Sequence, residues 1–482
     1  MSTTSVADVT QLSALDLAAA IRARRITAVE VVEAHIDVLE RTRWTNALAV
    51  DRFDLARDEA AAADARIASG PVEDLPELLG VPATVKELIA VEGMPHTGGF
   101  PHRRKFREPA DAPVVARLRA AGAIVLGLGN TPGPYFWVET NNKLYGRTSN
   151  AYDKHRTSGG SSGGDGAMVG SGGAPIAIGS DMGGSIRIPA FFNGVFGHLP
   201  SRGLVPITGH FPIPLGDIRR TLYLGPLARR SADLMPLLRI MAGPDGVDPF
   251  VVDMPLGEPQ DVALAGLPIA VATDASTFPL RPALREAIED AAHALESAGA
   301  DVREVSLRSM RTALAQFGAV AWSELDLVTS WDALVESPTG RDRVPMSVAV
   351  PSAVLRLVDN APLRVLRSRA MRRLVSSAER ASDSLAEIIG DGALLYPPFP
   401  RIAPRHRMTL GQPWLATNTA VFNLFGMPAT QTPLGIGAKG LPRGVQVVAA
   451  PGRDHVSIAV AAELERAFGG WVDPARLTRS AR

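Results

Sequence analysis

The sequence contains no cysteine in 482 residues. That excludes a disulfide framework, a thiol nucleophile and any cysteine-ligated metal or cluster. Lysine is almost as scarce. It occurs only at 86, 105, 143, 154 and 439, and the other 45 of the 50 basic residues are arginine. No stretch offers ~18 uninterrupted apolar residues, so no membrane span is expected. The opening MSTTSVADVTQLSALDL lacks the basic start and apolar run of a leader segment. Net charge is zero, which argues against a broad polyanion-binding surface and against nucleic acid as a partner. These absences lead to the expectation of a soluble cytoplasmic protein.

Hydrophobic residues make up 46% and charged residues 21%, the balance of an ordinary globular chain. The length exceeds what one core usually serves, so two lobes or one large sheet with helical layers is expected. No fixed-period repeat is present. Residues 27–43, TAVEVVEAHIDVLERTR, read as an amphipathic helix opened by a Thr27/Glu30 capping box. Residues 53–69 read as an alanine-rich helix, and GVPATVKELIAV (80–91) as a buried strand or turn. Helix, glycine turn and strand follow in 111–130, and the same form recurs in 281–307 after LPIAVAT (267–273). This alternation predicts an α/β protein with a large, mostly buried mixed sheet covered on both faces by helices. A Pro/Gly/Asp-rich boundary falls near 243–262. Residues 344–380 are apolar and studded with arginine. They read as a surface helix whose arginine stems cover the core, with peripheral membrane or partner contact as the rival reading.

The most unusual stretch is 157–190, TSGGSSGGDGAMVGSGGAPIAIGSDMGGSIRIPA, with eleven glycines and six serines. A phosphate cradle is one reading, but there is no lysine after the glycines and no strand reads before them. A nucleophile elbow is another. GGSSGG fits Gly-x-Ser-x-Gly on Ser161 and on Ser162, with His198, His210 or His293 as unmarked candidate bases. The third reading uses the whole stretch. Ser161 and Ser185 each sit in a glycine loop, separated by a small apolar segment that can pack as helix and strand, so the two loops can meet at a sheet edge. The backbone N–H groups of Met182, Gly183, Gly184 and Ser185 can then converge as an oxyanion hole. A base is still needed. In a chain that makes positive charge with arginine, a lysine in the apolar segment LLGVPATVKELIAVEG stands out, because lysine can deprotonate and arginine cannot.

Taken together, VKELIAVEGMPHTGG, DAPVVARLRAAGAIVLGLGNTP, the glycine-serine block, AFFNGVFGHLPSRGLVP, LLYPPFPRIAPRH and LFGMPATQTPLGIGAKGLPRGVQVVA resemble the amidase signature family of serine amidases, from about residue 10 to 472. The FFNGVFG and GLPRGVQVV blocks look most like the fatty-acid amide hydrolase branch, in particular its type 2 members. The resemblance implies the amidase signature fold and hydrolysis of a linear carbon–nitrogen amide bond. It implies a Ser-Ser-Lys triad, with Ser185 as nucleophile, Ser161 as bridging serine behind a cis peptide bond, and Lys86 as base, and no cofactor or metal. Asp181, Arg187 and Ser162 are expected to support the loops. A free lysine has a pKa near 10.4 and is only about 0.04% neutral at pH 7, so the role requires burial to lower it by ~3 units.

The expected organisation is an N-terminal helical region, 1–75, packed on a catalytic domain, 76–482, with a variable helical insertion at about 310–390. The expected partner is a small-molecule amide, and a homodimer is compatible. The apolar segment 191–213 serves either a substrate pocket or the core. Four positions depart from the family pattern: Glu87 where Asp is common, Leu128 and Gly129 where Lys-Thr is common, and Leu199 where lysine usually precedes Pro200. The alternatives are the A subunit of a glutamine-dependent tRNA amidotransferase and a catalytically silent binding protein on the same fold.

Overall fold

A computed structural model describes residues 9–71, 74–133, 137–213, 216–274, 280–308, 376–437 and 439–480. Most of the 344–380 stretch and of the 310–390 insertion lies outside the described residues. Residues 376–389 are helical.

Three helices open the chain: α1 (Ala14–Arg22), α2 (Ala28–Arg41) and α3 (Phe53–Ser69). The Thr27/Glu30 capping box is formed at the start of α2. Between α2 and α3, β1 (Leu48–Asp51) pairs antiparallel with β3 (Ile124–Gly129). The first 75 residues therefore contribute an edge strand to the main sheet as well as helices. β2 (Pro82–Lys86), α4 (Pro113–Ala120) and β3 follow, and β4 (Asn141–Asn142) with β5 (Gly146–Arg147) forms a separate small hairpin.

The remaining strands of the main sheet are β6 (Ile176–Asp181), β7 (Phe196–Leu199), β8 (Tyr223–Ala228), β9 (Pro268–Val271), β10 (Asp301–Glu304), β11 (Ala393–Tyr396), β12 (Ala429–Ile436) and β13 (Pro442–Ala449). Their order is β1-β3-β2-β6-β8-β7-β12-β13-β11-β9-β10. The sheet is mixed: β3-β2-β6 and β11-β9-β10 run parallel within each group, and the pairs between them are antiparallel.

β2, β3 and β6 are buried at every residue, which is why they read as continuous apolar runs rather than alternating ones. The packing shows both faces covered. Ala393 and Leu395 of β11 join one apolar cluster with α8 (Pro282–Ser297) and α10 (Asp454–Phe468), while Leu394 and Tyr396 join another with α9 (Thr417–Phe425) and the 376–389 helix. Phe191, Phe192 and Phe196 are fully buried in apolar clusters, so this part of the 191–213 segment is core.

What positions the site is the parallel pairing of β2 with β3 and β6. It sets the carboxyl ends of three neighbouring strands at one edge, the place where α/β sheets bind ligands. The glycine-serine loop follows that edge and feeds α5 (Gly163–Gly170). The loop after β6 feeds α6 (Arg187–Phe192). Both helices are buried along their whole length. A Cβ on Gly164 would lie 2.1 Å from the backbone nitrogen of Asn130 at the end of β3, so α5 packs against the strand end with no room for a side chain.

Candidate active site

Lys86 is the last residue of β2, and β2 pairs in register with β6 through Val85 and Ile178. Its side chain therefore reaches Ser180, near the end of β6. The ammonium end is wholly buried and makes three contacts: Ser161 Oγ at 2.6 Å, Ser180 Oγ at 2.9 Å and the Ser180 carbonyl at 3.3 Å. Burial pushes Lys86 down to about 7, against the opposing fields of Asp165 and Asp181. The apolar flanks hinted at this burial. The Ser180 contact was not legible, because it depends on strand register.

His210 lies on the other side of Ser180. Its Nε2 is 2.9 Å from Ser180 Oγ and its Nδ1 is 2.9 Å from the Pro212 carbonyl. A carbonyl only accepts, so Nδ1 carries the hydrogen and Nε2 accepts from the Ser180 hydroxyl. Burial and the neighbouring Lys86 hold His210 down at about 3, which keeps the ring neutral. With its hydrogen given to His210, Ser180 Oγ can only accept from Lys86. An uncharged amine has two N–H groups and one lone pair. In the uncharged form, Ser180 Oγ and the Ser180 carbonyl can take the two N–H groups, which leaves the lone pair for the Ser161 hydroxyl.

The Gly160–Ser161 peptide bond is cis. Ser162 ties the two serine loops together: its N–H donates to the Ser185 carbonyl at 3.0 Å, and its hydroxyl donates to the Ser180 carbonyl at 3.2 Å. Ser185 is half-buried and its hydroxyl makes no hydrogen bond to any described residue.

The loop under Ser185 is fixed by Asp181 and Arg187, both fully buried, which pair through two hydrogen bonds of 3.1 and 3.2 Å. The remaining Arg187 donors reach Gln446, Asn423 and the Thr419 carbonyl. Burial alone would raise Asp181, but the guanidinium and the hydrogen bonds prevail and hold it at about 2. Removing either partner would leave an uncompensated buried charge, at a cost of about 3–5 kcal/mol.

Asp181 also corrects the oxyanion expectation. Gly184, expected to aim its N–H at the substrate, donates it to Asp181 Oδ1 at 2.5 Å. The N–H groups of Met182, Gly183 and Ser185 have no partner among the described residues. Gly184 is required for another reason. Its φ is +117°, and a Cβ there would lie 2.1 Å from Thr419 Oγ1.

Three further groups bear on the site. Asp165 in α5 is fully buried, and neither carboxyl oxygen has a hydrogen-bond partner. Burial raises it to about 8 while Lys86 pulls the other way, so the lysine and this carboxyl are both driven toward their uncharged forms. Its only sequence signal is an acid within a block of small residues. Glu87, one of the departures from the family pattern, is buried beside the site, where burial raises it. It accepts hydrogen bonds from the N–H groups of Thr97 and Gly98 and from the Tyr145 hydroxyl. The histidines of the elbow reading do not assemble a Ser-His pair. His198 bridges Thr430 and Asp454, His293 is exposed, and His210 serves Ser180 rather than Ser161 or Ser185. Among the described residues, no cluster of His, Asp and Glu could hold a metal ion.

A mixed α/β sheet with two serine loops and a buried lysine at its carboxyl edge has the groups that serine-based hydrolysis needs. The comparisons narrow this. The chain belongs to the Amidase family, whose sequence profile matches residues 30–457, and it is an enzyme of amide hydrolysis. It is 39% identical to fatty-acid amide hydrolase 2-A of Danio rerio, over 97% of this chain and 90% of that protein. It is 37% identical to human fatty-acid amide hydrolase 2, over 96% and 90%. Among solved structures it matches a chain of an inhibitor-bound vestigial protein complex that reveals the evolutionary origins of an s-triazine catabolic enzyme, with a TM-score of 0.82 at 28% identity, covering 95% of this chain and 99% of that one. No helix among the described residues is long and apolar enough to cross a membrane.

Proposed function

We propose that this amidase cleaves amides with an apolar acyl group through an acyl-Ser185 intermediate, using a Lys86–Ser161–Ser185 proton relay. The observation that carries the reading is the buried Lys86 amine, 2.6 Å from Ser161 Oγ and 2.9 and 3.3 Å from the Ser180 hydroxyl and carbonyl oxygens. Neutral Lys86 accepts the Ser161 proton as Ser161 accepts that of Ser185. The Ser185 oxygen adds to the amide carbonyl, and the negative charge on the former carbonyl oxygen is met by the free N–H groups of Met182, Gly183 and Ser185. The proton returns through Ser161 to the amide nitrogen, the carbon–nitrogen bond breaks and the amine leaves. Water, deprotonated by the same relay, then releases the carboxylic acid and restores Ser185. Ser161 Oγ is hydrogen-bonded to Lys86, and no hydrogen bond joins it to the Ser185 hydroxyl. Contacts of this kind commonly tighten only when substrate binds.

The apolar acyl preference rests on the similarity to the fatty-acid amide hydrolases. A panel of primary amides of graded chain length, with glutamine included, tests it. The expected result is a kcat/KM that climbs several-fold per methylene over the shorter chains, at about 0.8 kcal/mol per buried methylene. It is accompanied by acylation at the Ser185 peptide in rapid-quench mass spectrometry. A flat profile would remove the apolar substrate, and a preference for glutamine would favour the amidotransferase A-subunit reading.

The His210–Ser180 pair gives a second, smaller prediction. His210→Phe frees the Ser180 hydrogen to compete for the lysine lone pair. A drop of about tenfold in kcat with little change in KM is expected, and His210→Gln, which retains an acceptor, recovers most of it. Equal losses in both variants would mean that the acceptor is not what matters.

A further inference from the structure

A cavity of about 820 Å³ opens between the start of α8, the 401–408 loop and the turn joining β12 to β13. None of Lys86, Ser161, Ser180 and Ser185 lines it. Its walls are cationic to a degree that the neutral chain as a whole is not: Arg156, Arg281, Arg401, Arg405, Arg443 and Lys439 line it, with Glu286 as the only lining acid. Two of the six cations are matched, Arg156 by Asp153 and Arg443 by Asp290. The other four form no ion pair with any described residue.

Two of the unmatched cations repel each other. Arg401 is lowered first by burial and next by the field of Arg281, with Glu139 opposing both. Its Nη2 reaches the Met408 carbonyl and Gln412, while its Nε is buried with no hydrogen-bond partner. Gathering more guanidinium groups than acids costs free energy, and an anion at their centre would lower that cost. The backbone adds to the field. α8 has sixteen residues, no side chain caps its start at Arg281, and the N–H of Ala283 has no partner among the described residues.

The rest of the wall is apolar. Leu284, Ile402, Met408, Ile436 and Leu441 line the same cavity. Leu284 and Ile402 also pack into the cluster that holds Ile188 and Phe192 of α6, so the cavity backs onto the helix that follows Ser185. The volume suits a small organic molecule. A bare inorganic anion would use the cations and leave the apolar wall empty.

We infer that this cavity is a second binding site, for a molecule with an acyl chain and a carboxylate or phosphate head, the head held by Arg281, Arg401 and Arg405 and the chain lying on Ile402, Met408 and Ile436. Recognition of this kind is independent of the proton relay.

Calorimetric titration of the wild-type protein with decanoate, decyl phosphate and inorganic phosphate, repeated on Arg281→Glu and Arg405→Glu, tests the inference. Both side chains are exposed, and unfolding temperatures close to wild type confirm that the variants fold. At least one of the two amphiphiles is expected to bind, and which one binds more tightly tells a carboxylate head from a phosphate head. Its Kd is expected to rise tenfold or more in each variant and with added salt, while inorganic phosphate binds at least tenfold more weakly. Amphiphile binding that both variants leave unchanged would place the ligand elsewhere and overturn the site, as would no binding of either amphiphile. Inorganic phosphate binding as tightly as decyl phosphate would overturn the acyl component. Acyl-amide turnover by the two variants in the absence of ligand is expected at wild-type levels, so a failure here is separable from a failure of the proposed mechanism.

Discussion

Replacing Ser185 with alanine is expected to lower kcat/KM for the best acyl amide by at least ~10⁴-fold while leaving the unfolding temperature unchanged. The two halves of that expectation come from different observations. The activity loss follows from the proposed role of Ser185 as nucleophile, since it is half-buried where Ser161 and Lys86 are buried. The unchanged stability follows because its hydroxyl makes no hydrogen bond to a described residue and the side chain is half-buried, so its loss opens no large cavity. A fluorophosphonate should label the wild-type protein at this serine and fail to label the variant. Labelling at Ser161 or Ser162, or a variant retaining a tenth of wild-type activity, would show that the nucleophile is another group.

Lys86→Arg is expected to be as inactive as Lys86→Met, each losing ~10³–10⁴-fold in kcat/KM. Arginine keeps the positive charge and has donors to spare, but it has no lone pair and does not deprotonate in a protein. Methionine keeps the length without the charge, and so separates a folding defect from a chemical one. The pH profile of the wild type follows from the same group. Its pKa in the fold, about 7, lies below the ordinary lysine value. The base form therefore exists above about pH 7, and kcat/KM should be level there. It should fall tenfold per pH unit as acid protonates the amine. Of the neighbours facing it, Asp181 stays ionised and His210 stays neutral across that range. Asp165 is drawn toward its neutral form and is the one group whose ionisation near pH 8 would act on the same amine. A profile that keeps rising tenfold per unit up to pH 9.5 would mean that the lysine is not perturbed, and a fully active arginine variant would mean that it is not a base.

Much of this was legible in the residues. The rarity of lysine isolated Lys86. The two glycine-serine loops pointed to a pair of hydroxyls, and the Thr27/Glu30 box and the apolar runs gave α2 and the buried parallel strands. The parts that were not legible share a physical cause. Ser180 and His210 meet Lys86 only because β2 and β6 run parallel in one register and because the 207–212 loop folds back beside Leu88 and Ile89. No local pattern encodes either event. Gly184 looked like an oxyanion donor because its sequence neighbourhood resembles one, while the direction of its N–H is set by the Asp181 side chain. Asp165 was passed over because an isolated acid in a glycine-rich helix carries no periodic signal.

The Asp181–Arg187 anchor has a consequence for how the chain is divided. Lys86, Ser161 and Ser185 fall within one hundred consecutive residues, a span short enough to suggest a minimal enzyme. Yet the guanidinium under the nucleophile loop is held by Thr419, Asn423 and Gln446, more than 230 positions downstream. The chemistry is written early in the chain and latched late, so during synthesis the site stays unmade until α9 and β13 arrive to close it.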